Sequence, residues 1–189
     1  MPLYMILLGC RPAGRHTEQH DIFFTIANNL EAAKPAISRF WPDGGKLHID
    51  AWRSVTSVNG YSVEVVARDA ADNEQDALHL YFVNLGGYKP GVFEEFHYKM
   101  LVVATDKSAA ISEAKKTAFY QHTGFKGADS HIDDKYGVDV DDVEAIEDIL
   151  PEAERNQFAL RIQPGAVVAE DAMHLGYFKW SKLDATMVS

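Results

Sequence analysis

Residues 9–21 read Gly-Cys-Arg-Pro-Ala-Gly-Arg-His-Thr-Glu-Gln-His-Asp. Within them His16, Glu18 and His20 stand two apart. On an extended backbone alternate side chains share a face, so two imidazoles and a carboxylate would converge. That donor set suits Zn²⁺ or Fe²⁺, and His16, Glu18 and His20 are the predicted metal ligands. His48 and Asp50, again two apart, would complete or orient the set. The competing account is structural: His20 and Asp50 pair locally, cap turns, or satisfy buried backbone groups.

Arg11 and Arg15 flank Pro12 and could clamp a carboxylate or phosphate through paired hydrogen bonds. With His16, Glu18, His20, His48 and Asp50 they make up the candidate site for a small anionic ligand. Gly9-x4-Gly14-Arg15-His16-Thr17 approaches a phosphate loop, but Arg and His stand where Lys and Ser/Thr are needed. A strand-like Ile22–Ile26 also follows where a helix must begin. Cys10 is the one cysteine; a small residue at a strand end explains it better than a nucleophile does. Asp139-x-Asp141-Asp142-x-Glu144 lacks the spacing of a calcium loop. These residues name no reaction, so whether the protein is an enzyme stays open.

The elements that must position this site occur twice. At an offset of 77, residues 3–33 meet 80–110 with ten identities in 31 positions, where chance gives about two. Gly9, Gly14, Glu18 and His20 meet Gly86, Gly91, Glu95 and His97. After a six-residue slip His48-Ile49-Asp50 meets His131-Ile132-Asp133. Glu95, His97, His131 and Asp133 are therefore the expected equivalents in the second repeat, where apolar neighbours such as Val92 and Phe93 suit a structural role.

Each repeat reads as strand, Pro/Gly loop, strand, then helix. Asn29 and Asp106 are expected N-caps, and Pro35 should kink the first helix or mark its first turn. A hairpin follows in the first repeat, turning at Asn59-Gly60. Val143, Ile146, Ile149 and Leu150 have helical spacing, but the repeat predicts strand there. Two more strands are predicted at Phe158–Ile162 and His174–Trp180. The expected fold class is α+β: a tandem duplication of a β-β-α-β-β unit, antiparallel sheets each with a helix on one face, in a pseudo-two-fold two-layer sandwich. The expected boundaries are a first unit at 1–68, a linker at 69–77, a second unit at 78–150, and C-terminal strands at 151–189 completing the second unit.

Gly9-x-Arg11-Pro12-x-Gly14-Arg15-His16-x-Glu18-Gln19-His20-Asp21, followed by His48-Ile49-Asp50-Ala51-Trp52, resembles a small bacterial family, domain of unknown function 1543. Its members carry one or two copies of the domain, and this chain is similar to a two-copy member over nearly its whole length. The resemblance implies bacterial origin and a tandem layout, and it carries no activity.

The net charge of −10 is uneven. Residues 1–68 carry seven basic and six acidic side chains, whereas 129–154 carry eleven acids against Lys135 alone. An acidic face repels phosphate backbones, so no nucleic-acid partner is expected. No stretch is long and apolar enough to span a membrane. The first apolar run lacks a basic flank, and a single cysteine fits a reducing cytoplasm. The sequence thus predicts a cytoplasmic protein binding a small anionic ligand or a divalent metal in its first repeat. The alternative is a non-catalytic interaction or scaffold module whose acidic 129–154 segment recruits a protein partner or supports self-association.

Overall fold

The structure is a computed structural model that describes residues 1–70, 78–88, 91–116, 138–165 and 171–183. The strands are β1 (Leu3–Cys10), β2 (Gln19–Ile26), β3 (His48–Val55), β4 (Ser57–Val58), β5 (Tyr61–Ala67), β6 (His79–Tyr88), β7 (Glu95–Ala104), β8 (Val138–Ala145), β9 (Phe158–Pro164) and β10 (His174–Lys179). The helices are α1 (Leu30–Phe40), α2 (Lys107–Lys115), α3 (Ile146–Ile149) and α4 (Glu152–Gln157). Every strand pairing is antiparallel, and the chain is α+β. It divides into two units, residues 1–71 with 150–189, and residues 72–149.

The first unit is built on a sheet in the order β10-β3-β1-β2. Alternation along β1 sends Tyr4, Ile6 and Leu8 to one face, where they pack with Leu30, Ala33 and Ile37 of α1. The helix starts because Asn29 Oδ1 accepts the Ala32 N–H at 2.8 Å, relieving one of the first turn's unpaired donors. Pro35 lies in the second turn, so the helix runs through it instead of beginning there. Its missing N–H leaves the exposed Glu31 carbonyl to water. Leu30, Ala33 and Ile37 are almost wholly buried; truncating Ile37 to Ala would cost about 2–5 kcal/mol.

The hairpin falls where the sequence places it. Asn59 and Gly60 both take positive φ, 50° and 83°, as the tight turn between twisted strands requires.

The C-terminal strands do not complete the second unit as the order of elements suggests. β9 pairs with β5, setting Ile162 opposite Val63 and Leu160 opposite Val65, and β10 pairs with β3. Without them β5 and β3 would keep open edges. Three tethers fix the return: Glu154 accepts from the Ile26 N–H at 2.6 Å and the Thr25 hydroxyl at 2.7 Å, Asp171 accepts from the Thr56 and Ser57 N–H groups, and Lys34 donates to the Leu183 carbonyl. Leu183 itself is buried in the core beneath α1.

The second unit has a sheet in the order β7-β6-β8. Tyr81, Val83 and Leu85 face Ala110 and Ala114 of α2, whose N-cap Asp106 accepts from the Ala109 N–H at 2.8 Å. The predicted strand holds at Val143, within β8, and gives way to α3 from Ile146. The helical spacing of apolar residues prevails there, Ile146 and Leu150 both being buried. Residues 71–77 of the expected linker lie outside the described residues.

Candidate functional site

Gly9 is the floor of the site. Cross-strand pairing sets it opposite His20 of β2 and opposite His48 of β3. Directly paired residues share a sheet face, so both imidazoles stand on the face away from α1. Glu18, two residues before His20, rises on that same side. Asp50 arrives by another route. The β1–β3 register slips between Leu7, opposite Ala51, and Leu8, opposite Ile49, which leaves Asp50 as the extra residue of a β-bulge. A bulge re-aims a side chain, and this one turns the Asp50 carboxylate over Gly9. A Cβ at Gly9 would collide with both Asp50 Oδ2 and His48 Nε2, so the four side chains converge only because that residue is glycine.

The donors alternate in a ring. His20 Nε2 lies 3.2 Å from Asp50 Oδ2, Asp50 Oδ2 lies 3.3 Å from His48 Nε2, and His48 Nε2 lies 3.2 Å from Glu18 Oε1. Glu18 Oε2 closes the ring at 3.7 Å from His20 Nε2. The His48 side chain is 4% exposed, and its ring packs against Tyr177 of β10 with centroids 4.3 Å apart. His48 Nε2 and Asp50 Oδ2 are both buried, and neither makes a hydrogen bond. Two carboxylates with two imidazoles favour a cation at their meeting point and oppose an anion.

The other predicted site residues are not part of this ring. His16 is exposed in the turn before β2 and forms no ion pair with the cluster among the described residues. Pairing explains this: β1 ends at Cys10, opposite Gln19, so nothing holds residue 16 extended. Arg11 turns onto its own loop, donating to the Arg15 carbonyl at 3.4 Å and the His16 carbonyl at 3.1 Å. Arg15 is exposed. Cys10 is buried, and burial, with Asp43 and Glu18 nearby, pushes its thiol up, away from the thiolate a nucleophile needs.

A related arrangement stands in the second unit. Gly86 is opposite His97 and Asp139. His97 Nε2 lies 3.4 Å from Asp141 Oδ2 and 3.8 Å from Glu95 Oε2. Asp141 is again the bulge residue, between Asp142 opposite Asn84 and Val140 opposite Leu85. The expected His131 and Asp133 lie outside the described residues. It is Asp139 and Asp141 that hold the positions His48 and Asp50 occupy in β3. The signal for them was the alternation Val138-Asp139-Val140, broken by the Asp141-Asp142 doublet. The cluster of Glu95, His97 and Asp141 is exposed. Elsewhere in the acidic segment, Asp142 accepts from the Asn84 amide and Glu144 pairs with Lys107.

Residues 15–65 match the family described as Domain of Unknown Function (DUF1543), a stretch containing Glu18, His20, His48 and Asp50. The crystal structure of a protein Il1583 from Idiomarina loihiensis is similar in fold, with a TM-score of 0.62 and 22% identity over 97% of this chain and 98% of that one. No curated protein matches the chain.

Proposed function

We propose that this is a metal-binding protein whose first unit holds a divalent transition-metal ion through His20, His48, Glu18 and Asp50. The observation that carries the reading is the pair His48 Nε2 and Asp50 Oδ2, buried 3.3 Å apart with no hydrogen bond. A buried polar atom left unpaired costs about 1–3 kcal/mol, and a shared cation would offset that cost at both atoms. Imidazole pairs with carboxylates suit Zn²⁺ or Fe²⁺. Arg15 and His16, exposed just before Glu18, are assigned to an anionic group of a ligand that reaches the bound ion.

Duplication of one β-β-α-β unit accounts for the two clusters. It is supported by the matched element order, the caps Asn29 and Asp106, and the bulges at Asp50 and Asp141. Tandem copies, bacterial origin and a cytoplasmic setting complete the proposal.

The test is calorimetric titration of chelator-treated protein with Zn²⁺, with parallel metal analysis of protein purified without added metal. His48→Ala and Asp50→Asn should each weaken the first-unit equivalent by roughly ten-fold or more, while circular dichroism stays unchanged. Zn²⁺ binding that ignores both changes would sink the reading.

A further inference from the structure

We propose that Glu95, His97 and Asp141 form a second cation site, separate from the first and harder in its chemical preference. Their donor atoms lie within 4.8 Å of one another. Three features argue that this grouping is built into the sheet and is not a chance surface cluster. Gly86, beneath it, has no room for a side chain: a Cβ there would collide with the Asp141 carboxylate. Asp141 reaches that place through a β-bulge, a device that re-aims one side chain at a local cost in pairing. Asn84, two residues from Gly86 on the same face of β6, ties its amide nitrogen to Asp142 at 3.2 Å and leaves its Oδ1 buried without a hydrogen bond.

The ligand chemistry differs from that of the first unit. One imidazole and two carboxylates replace two and two. The site therefore leans toward oxygen donors, and its exposed donors leave further coordination positions to water. Oxygen-rich, water-accessible sites favour Mn²⁺ or Mg²⁺ over the softer ions that imidazole pairs attract. The second unit would take a hydrated hard cation while the first takes a borderline transition metal.

Mn²⁺ is the probe, followed by its electron paramagnetic resonance signal as it is titrated into the chelator-treated full chain. His97→Ala, Asp141→Asn and Glu95→Gln replace exposed side chains, so the fold should survive; far-ultraviolet circular dichroism checks this. Each should weaken one Mn²⁺ equivalent by roughly ten-fold or more, and His48→Ala should leave that equivalent in place. Mn²⁺ binding untouched by all three second-unit changes overturns this inference. If that binding is instead lost in His48→Ala, the first-unit reading stands without the second. If His48→Ala and Asp50→Asn leave Zn²⁺ binding intact while the second-unit changes remove Mn²⁺, the first reading fails and this one holds.

Discussion

Asp50 bulges out of β3 and brings its carboxylate to rest over Gly9 of the neighbouring strand. Gly9 has ordinary strand pairing on both sides. Its glycine identity is therefore a matter of space above the sheet and not of backbone conformation.

Gly9→Ala should accordingly displace Asp50 and His48 and weaken Zn²⁺ binding by roughly ten-fold or more, the scale seen when the supports of metal ligands are disturbed. Gly14→Ala is the contrast: φ there is 77° in open space, so it should cost about 1 kcal/mol through backbone strain and leave the metal untouched. Calorimetry and thermal melts on both variants check the pair. Equal losses of Zn²⁺ affinity would contradict the argument.

Glu154 gives a pH dependence of defined sign. Burial raises its carboxyl above the ordinary 4.5, against the opposing pull of the Ile26 N–H, the Thr25 hydroxyl and Arg39. An acid raised in the folded state holds its proton more tightly there. Its contribution to stability is full below the unfolded value and is lost as pH rises through the folded one. Relative to Glu154→Gln, the wild type should lose stability as pH climbs from 4.5 and level off above the folded value. Urea unfolding of both proteins across that range measures the difference; a difference that moves the other way contradicts the assignment.

Asp171 ties the C-terminal return to the first unit through the Thr56 and Ser57 N–H groups, at 2.8 and 3.1 Å, and through the Thr56 hydroxyl. Ser57 is buried. Asp171→Ala should cost about 1–3 kcal/mol and speed amide exchange at residues 56 and 57. Unchanged exchange there would show that the tether does not hold the strand.

Cys10 should be silent in the native state. Burial and the nearby acids Asp43 and Glu18 disfavour its thiolate, so a thiol-specific reagent at mildly alkaline pH should react fast only after urea unfolding. Fast native reaction would reopen a chemical role for it.

The candidate site was half legible in the sequence. Glu18 with His20, and His48 with Asp50, were each found from spacing two apart, because alternation along a strand is a local property. His16 obeys the same spacing yet stands apart from the ring, since a pleat persists only where a neighbouring strand pairs with it, and β1 stops at Cys10. Asp141 was missed because the recurrence of His48-Ile49-Asp50 as His131-Ile132-Asp133, a stretch outside the described residues, drew the expectation there. Hydrogen bonding to β6 runs along Val138–Ala145, and a bulge carries Asp141 out of simple alternation.

By itself the sequence determined what depends on near neighbours: the apolar strands, the helices capped by Asn29 and Asp106, the hairpin at Asn59-Gly60, and the recurrence of glycine, acid and histidine at one offset. Tertiary structure alone decided where the C-terminal strands dock, which carboxylate completes the cluster in the second unit, and that Gly9 is a floor. The reason is physical. Capping, turn geometry and alternation are set by bonds within a few residues, whereas register, edge pairing and the space above a glycine are set by segments far apart in the chain, whose meeting no local pattern encodes.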